Sequence, residues 1–317
     1  MPEALGPRRA APLVAKLVVI GLGLIGASIA RVARAQNLAG VIVGADAEAS
    51  VRARAAEIGL ADMITGDLVA AVVDADIVML CVPVGAMGAV ATAIGPALKA
   101  GAIVSDTGSV KASVVEAVAP RLPAHVHLIP GHPVAGTEYS GPDAGFATLF
   151  VNRWSILTPP EDVDAAALAL LTAFWTEAGA NVETMSAAHH DIVLAITSHV
   201  PHLIAYNIVR TAADLEKVTQ SEVMKFSAGG FRDFTRIASS DPTMWRDVFL
   251  NNRDAVLEVL GRFNEDLAAL QRMVRDGDGD GLFELFTRTR AIRKGIIAQG
   301  QETAAPDFGR RAAEARV

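Results

Sequence analysis

The run Val18-Val19-Ile20-Gly21-Leu22-Gly23-Leu24-Ile25-Gly26 limits what this chain can fold into more than any other stretch. It reads as an apolar strand entering a glycine-rich turn that opens a helix. Gly21 permits the tight turn, Gly23 lets a phosphate group approach the backbone, and Gly26 lets helix and strand pack closely. The helix N-terminus adds unpaired N–H donors. Such a glycine pattern alone is a weak signal, so the flanks decide. Leu17 to Ile20 supplies the strand, Ile25, Ile29, Val32 and Ala33 supply a helical face, and Gly40 reads as its stop. A second strand, Val41 to Ala45, ends on Asp46, about 20 residues past the last glycine, where an acid would accept from ribose hydroxyls. Gly21, Leu22, Gly23, Leu24, Ile25, Gly26 and Asp46 are therefore expected to bind a dinucleotide. A carboxylate at position 46 favours NAD over NADP because it repels a 2′-phosphate, a preference that Arg52 and Arg54 downstream weaken.

Strands continue to alternate with helices through the first half. Ala75 to Val82 reads as a buried strand closed by Pro83, which places Val82 and Pro83 at the cofactor crevice. Ala102 to Asp106 leads into Thr107-Gly108-Ser109-Val110-Lys111, and His127 to Pro130 opens onto Gly131-His132-Pro133. Trp154 to Thr158 and Asn181 to Met185 are the last strand-like pieces, and the alternation indicates a parallel sheet covered on both faces. From Ser186 onward only helical periodicity remains, with a break expected at Pro201 and a long helix beginning at Asp241-Pro242. That helix is too long for one small domain unless it kinks at Asn251-Asn252 or a second copy of the chain covers it. The expected class is α/β, a Rossmann-type doubly wound, mostly parallel sheet followed by an all-helical dimerisation domain. The expected division is a flexible tail over 1–15, a dinucleotide-binding domain over 16–185, a helical substrate and dimerisation domain over 186–300, and a C-terminal tail over 301–317.

The 317 residues are 51% hydrophobic and 20% charged, which suits two globular cores. A formal charge of −7 argues against a nucleic-acid partner and requires any anionic substrate to be held by a few placed arginines. The lone cysteine, Cys81, ends a strand and reads as an inert core residue of a cytoplasmic protein. The N-terminus lacks the long apolar run of a secretory signal, and Leu17 to Ala30 is too short to span a bilayer, so no membrane role is expected.

Three constellations carry candidate chemistry. His132 and Ser109 both follow strands and should emerge beside the nicotinamide end of a bound dinucleotide. A dehydrogenase acting on an alcohol needs a base of near-neutral pKa there, and the alternative is a histidine that caps a loop. Ser198 and His202, four apart, share a helix face while His199 points elsewhere; the pair either faces substrate or forms a polar seam between helices. His189-His190 and His199/His202 lack companions at metal-ligand spacing, so no metal is expected. Gly229-Gly230-Phe231-Arg232-Asp233-Phe234-Thr235-Arg236 brings arginines that either grip a carboxylate or pair with Asp233 and Asp241. Asp276-Gly277-Asp278-Gly279-Asp280-Gly281 imitates a calcium loop, but position twelve is Thr287 where a glutamate is required, so it reads as a turn.

Taken in order, GLGLIG, DTGSVK, GHPVAGTE, SHVPH and GGFRDFTRIASSDPTMWRD resemble the prephenate/arogenate (cyclohexadienyl) dehydrogenases of tyrosine biosynthesis, from about Lys16 to about Gln299. The resemblance implies NAD(P)-dependent oxidative decarboxylation of a cyclohexadienol by a homodimer joined through its helical domains. By the same resemblance His132 is the base on the ring hydroxyl and Ser109 its partner near the nicotinamide. Thr137, Ser198, His202 and Arg236 line the substrate site, with Arg236 on a substrate carboxylate, and Asp233, Gly229, Met244 and Trp245 lie nearby. Too few residues follow Gln299 for the chorismate mutase or regulatory domain that relatives often carry. Two rivals stand beside this reading. One is a β-hydroxyacid dehydrogenase, which would need a catalytic lysine in the helical half, where Lys217, Lys225 and Lys294 occur. The other is a non-catalytic NAD-binding regulator.

Overall fold

The computed structural model describes residues 5–137, 139–216 and 228–298. The consecutive apolar residues Leu17 to Ile20 are explained by a strand, β1 (Val14–Ile20), that is covered on both faces. Leu17 and Val19 point into one core with Ile29, Phe174 and Trp175; Val18 and Ile20 point into the other with Val78, Leu80 and Val104. Six parallel strands, β1, β2 (Ala39–Ala45), β3 (Met63–Thr65), β4 (Ile77–Leu80), β5 (Ile103–Asp106) and β6 (His127–Leu128), run in the order β3-β2-β1-β4-β5-β6. That is the doubly wound order, and the direction of winding reverses between β1 and β4, where the strand ends leave a crevice. Helix α1 (Leu24–Ala35) is stopped by Asn37 in the left-handed region at φ 56°, not by Gly40, which lies within β2.

Further helices of this part are α2 (Ala49–Glu57), α3 (Leu68–Val72), α4 (Val84–Ile94), α5 (Ala112–Val118) and α6 (Ala165–Glu177). Three departures from the sequence reading matter. Residues 5–13 are not loose: Gln36 donates to the Gly6 carbonyl (2.9 Å), Arg9 pairs with Glu177 (2.8 Å), and Leu5 and Leu13 pack on the core. The later strands do not join the main sheet either. Pro130 has no N–H with which to extend the ladder, and the chain instead forms a three-stranded sheet of β7 (Gly131–Pro133), β8 (Trp154–Leu157) and β9 (Asn181–Thr184). His132 consequently lies on a strand, antiparallel to β8, rather than in a loop.

The third departure is at Pro201, which does not interrupt its helix. Ser186 caps α7 (Ala187–Leu194), and the helix passes through a π-turn, Ala195–His199, into α8 (Val200–Glu216). Proline lacks the N–H of the ordinary ladder and crowds the carbonyl four residues back. The wider turn, with the Val200 N–H on the Ala195 carbonyl, relieves that crowding and rotates the following side chains. The run Ala187–Leu215 is long and apolar enough to cross a membrane, but it turns His190, Asp191 and His199 inward to polar partners. Among the described residues α8 is followed by two shorter helices, α9 (Gly229–Thr235) and α10 (Pro242–Asn251), the second capped by Asp241. The expected kink falls at Asn252, between α10 and α11 (Arg253–Asp276).

Two compact units result, one over Leu5–Val256 and one that begins at Leu257. In the second, α11 and α12 (Gly279–Ala298) meet at a turn in which Gly277 has φ 69° and the Asp278 N–H returns to the Met273 carbonyl (2.9 Å). Asp278 belongs to that turn and accepts from the Gly281 N–H (2.9 Å), while Asp276 ends α11 and Asp280 lies in the first turn of α12. Leu257, Leu267, Val274, Phe283, Phe286 and Ile292 are each more than half exposed in the single chain.

Candidate active site

The glycine turn has three different surroundings. Gly21 sits at φ 96°, and a methyl group there would meet the Cys81 carbonyl oxygen at 2.4 Å; at Gly26 it would meet the Gly21 carbonyl oxygen at 1.9 Å. At Gly23 it would meet nothing within 4 Å. Two glycines are therefore required by packing, and the third leaves open space in front of the α1 N-terminus, which a pyrophosphate fits. Beside it, Asp46 accepts from the Leu22 N–H (2.8 Å) and the Glu48 N–H (2.9 Å), which holds the carboxylate against the turn. Arg52 is turned back onto the carbonyls of Asp46 (2.9 Å) and Ala47 (2.6 Å), and Arg54 is taken by Asp143 and Glu57. Neither arginine is poised for a 2′-phosphate. Val82 and Pro83 follow β4 at the same crevice; Cys81, half-buried at the margin of the core, has its thiol pushed up to about 12 by desolvation.

His132 is buried beside the ends of β5 and β6. Its Nδ1 lies 2.9 Å from Nε2 of His190, and Nδ1 of His190 lies 2.8 Å from Oδ1 of Asp191. Asp191 also accepts the backbone N–H groups of Lys111 (2.7 Å) and Ala112 (2.9 Å), so α7 is tied to the start of α5. Burial raises the Asp191 carboxyl, but the His190 hydrogen bond and these two N–H groups outweigh it and hold Asp191 below the usual range. Burial, with repulsion from His190, Lys111 and His199, holds His132 well below the ordinary histidine value, and His190 is lowered chiefly by burial. Beneath them the fully buried Lys111 ammonium donates to Asp106 and to the Gly131 carbonyl (2.6 Å), while Asp106 accepts from the N–H groups of Gly108 (2.8 Å) and Gly131 (3.1 Å). This buried pair joins the end of β5 to β7, the strand that carries His132.

On the helical side, Asn252 donates to the Asp191 carbonyl (2.8 Å) and to His199 Nδ1 (3.0 Å), which explains why the helix breaks at that residue. His199 is fully buried rather than turned away, and burial pushes it down to about 4. Its ring meets the Trp245 indole edge-on at 6.1 Å between centroids, and His202 stacks on that indole at 3.7 Å. His202 Nδ1 donates to the Ser198 carbonyl (2.9 Å). Burial lowers His202, and the nearby Arg236 guanidinium lowers it further. A continuous set of contacts thus runs from His132 through His190, Asp191, Asn252, His199 and Trp245 to His202, with Arg236 beside it.

Among the residues singled out from sequence, Ser109 is half-buried, with its backbone toward His199. Thr137 lies in an exposed loop, where its hydroxyl accepts from the Tyr139 N–H (3.3 Å), and its neighbour Glu138 lies outside the described residues. Gly229 opens α9 and Asp233 is exposed on it; Met244 is exposed on α10, where its N–H caps on Asp241 (2.8 Å). No hydrogen bond or ring contact among the described residues joins these three to the histidines. The sequence reading missed Asp106, Lys111, His190, Asp191 and Asn252. A charged pair five apart inside Asp106 to Lys111, and an aspartate directly after a histidine, were its only visible signs. Of the lysines that a β-hydroxyacid dehydrogenase would require, Lys294 is exposed on α12, and Lys217 and Lys225 lie outside the described residues. Among the described residues no three His, Cys, Asp or Glu side chains are grouped to hold a metal ion, and both ring nitrogens of His190 are committed.

A doubly wound dinucleotide-type sheet joined to a helical segment, with a buried histidine at the strand ends, defines a class of two-part α/β proteins. Within it, the chain belongs to the prephenate dehydrogenase family. Residues 29–184 match the family's nucleotide-binding domain and residues 186–288 match its dimerization domain. A cyclohexadienyl dehydrogenase of Zymomonas mobilis is 46% identical over 87% of this chain and 94% of its own length. A prephenate dehydrogenase of Bacillus subtilis is 32% identical over 92% of this chain and 78% of its own. The crystal structure of prephenate dehydrogenase from A. aeolicus, in complex with hydroxyphenyl propionate and NAD+, superposes with a TM-score of 0.83 at 32% identity, covering 89% of this chain and 98% of that one.

Proposed function

We propose that this chain is an NAD-dependent cyclohexadienyl dehydrogenase that converts prephenate, arogenate or both into the corresponding phenol with loss of carbon dioxide. The observation that carries the proposal is family membership along nearly the whole chain, together with a buried neutral imidazole on β7, the strand tied to the end of β5 by the Lys111–Asp106 pair. Gly23, the α1 N-terminus and Asp46 would hold the dinucleotide, with Leu22, Leu24, Ile25, Val82 and Pro83 around it. When bound, NAD+ supplies the hydride acceptor. His132 takes the proton from the ring hydroxyl, and Ser109 hydrogen-bonds the same oxygen. The carbonyl that develops is conjugated to the ring carbon that bears the carboxylate, and aromatisation makes decarboxylation effectively irreversible. Arg236 grips a substrate carboxylate in a site completed by Thr137, Ser198, His202, Trp245, Met244, Asp233 and Gly229. The reaction so written requires no metal.

Apart from the N-terminal tail, whose residues 5–13 pack on the nucleotide-binding part, the division expected from sequence, with helices from 186 onward serving substrate and dimer, remains our reading of the organisation. The exposed apolar residues of α11 and α12 support a homodimer, as does the name of the matching family domain. We assign the protein to the cytoplasm, with neither a nucleic-acid nor a membrane partner. Incubation with NAD+ and either prephenate or arogenate should yield reduced cofactor, carbon dioxide and a phenolic product in equal amounts. NAD+ binding without turnover of either acid would instead favour the regulator.

A further inference from the structure

We infer that His190 and Asp191 form a positioning pair that sets the tautomer of His132, so that its Nε2 carries the bare lone pair a base requires. The inference rests on the reading of His132 as the proton acceptor and adds the residues that prepare it. Asp191 receives the backbone N–H groups of Lys111 and Ala112 and the Nδ1 side of His190. An ionised carboxylate only accepts, so His190 Nδ1 must be the protonated nitrogen. A neutral His190 then has a lone pair at Nε2, and the only proton for its 2.9 Å contact with His132 is one on His132 Nδ1. A neutral His132 protonated at Nδ1 has none on Nε2.

The ring centroids lie 5.1 Å apart, the separation that an in-plane N–H···N bond of 2.9 Å between two imidazoles gives. All three groups are buried, and the nearby charged Lys111 is paired with Asp106, so neither ring is offered a second carboxylate partner among the described residues. The logic is that of a carboxylate orienting a catalytic imidazole, lengthened here by one histidine. When His132 takes the substrate proton, His190 Nε2 is the acceptor that faces the resulting imidazolium.

Asp191 also holds the backbone at the start of α5, so the test belongs at His190. His190→Ala removes the acceptor for His132 Nδ1–H, whereas His190→Gln restores an amide oxygen near the Nε2 position. With NAD+ and prephenate, His190→Ala should lower kcat by about 10²-fold with KM for prephenate within about threefold, and His190→Gln should recover most of the loss. Ring 15N spectra of the substrate-free enzyme should show His132 protonated at Nδ1 in the wild type and a shift toward Nε2 protonation in His190→Ala. A wild-type His132 protonated at Nε2 would overturn the inference, as would an active His190→Ala enzyme with unchanged kcat. The tautomer measurement needs no turnover, so an enzyme inert toward both acids would defeat the proposed function while this result still decides the positioning role.

Discussion

One methyl group separates the roles of the glycines in the turn. At Gly26 an added methyl meets a carbonyl oxygen at 1.9 Å, so helix and strand must separate; at Gly23 it enters open space at the α1 N-terminus, where we place the pyrophosphate. Gly26→Ala should therefore lower Tm or abolish folding, while Gly23→Ala should keep Tm near wild type and weaken NAD+ binding at least tenfold. Calorimetry of both variants checks the pair, and equal effects on Tm would contradict the division of roles. Arg236 makes a second residue-scale case. It is exposed beside His202, and Arg236→Ala should raise KM for prephenate with a smaller change in kcat, because a carboxylate grip acts on substrate and transition state alike. An unchanged KM would mean that the carboxylate is held elsewhere.

Among the elements, β7 depends most on a single ion pair. Lys111 ties the end of β5 to Gly131, and Lys111→Met would leave Asp106 buried without its cation, at a cost of about 3–5 kcal/mol. Denaturant unfolding should show that loss, and a change under 1 kcal/mol would mean that water or the Gly108 and Gly131 N–H groups satisfy Asp106 alone. The same element shows where sequence reasoning stops. The strands of the main sheet other than β3 were legible, most plainly where residues buried on both faces give unbroken apolar runs, as in β1 and β4. The three-residue β3 and β7 carry no such run, and Pro130 looks like a strand end when it is a change of sheet. His132 was legible from its place after a strand. His190 and Asp191 were not, because their meaning depends on a contact 58 residues away in sequence, and no local spacing encodes that. Pro201 misled for a physical reason: its missing N–H can be absorbed by a π-turn as well as by a break.

For the molecule as a whole, burial of several histidines predicts an acid limit to stability. His132, His190, His199 and His202 are all held below the ordinary value by burial first, so the unfolded chain binds their protons more readily. Their contribution is complete above about pH 6.5 and is lost as pH falls from there toward the folded values, about 4 for His199. His199 alone accounts for about 3 kcal/mol across that window. The denaturation midpoint should hold steady from about pH 8 to 7 and decline below about 6.5; a midpoint that rises on acidification would mean that these rings are charged in the folded state. The same burial keeps His132 neutral, hence able to accept a proton, at physiological pH. The most direct test of that role is steady-state turnover of His132→Asn with NAD+ and prephenate. We predict a kcat lower by a factor on the order of 10² to 10⁴, with Tm and NAD+ affinity near wild type; turnover close to wild type would remove this imidazole from the reaction.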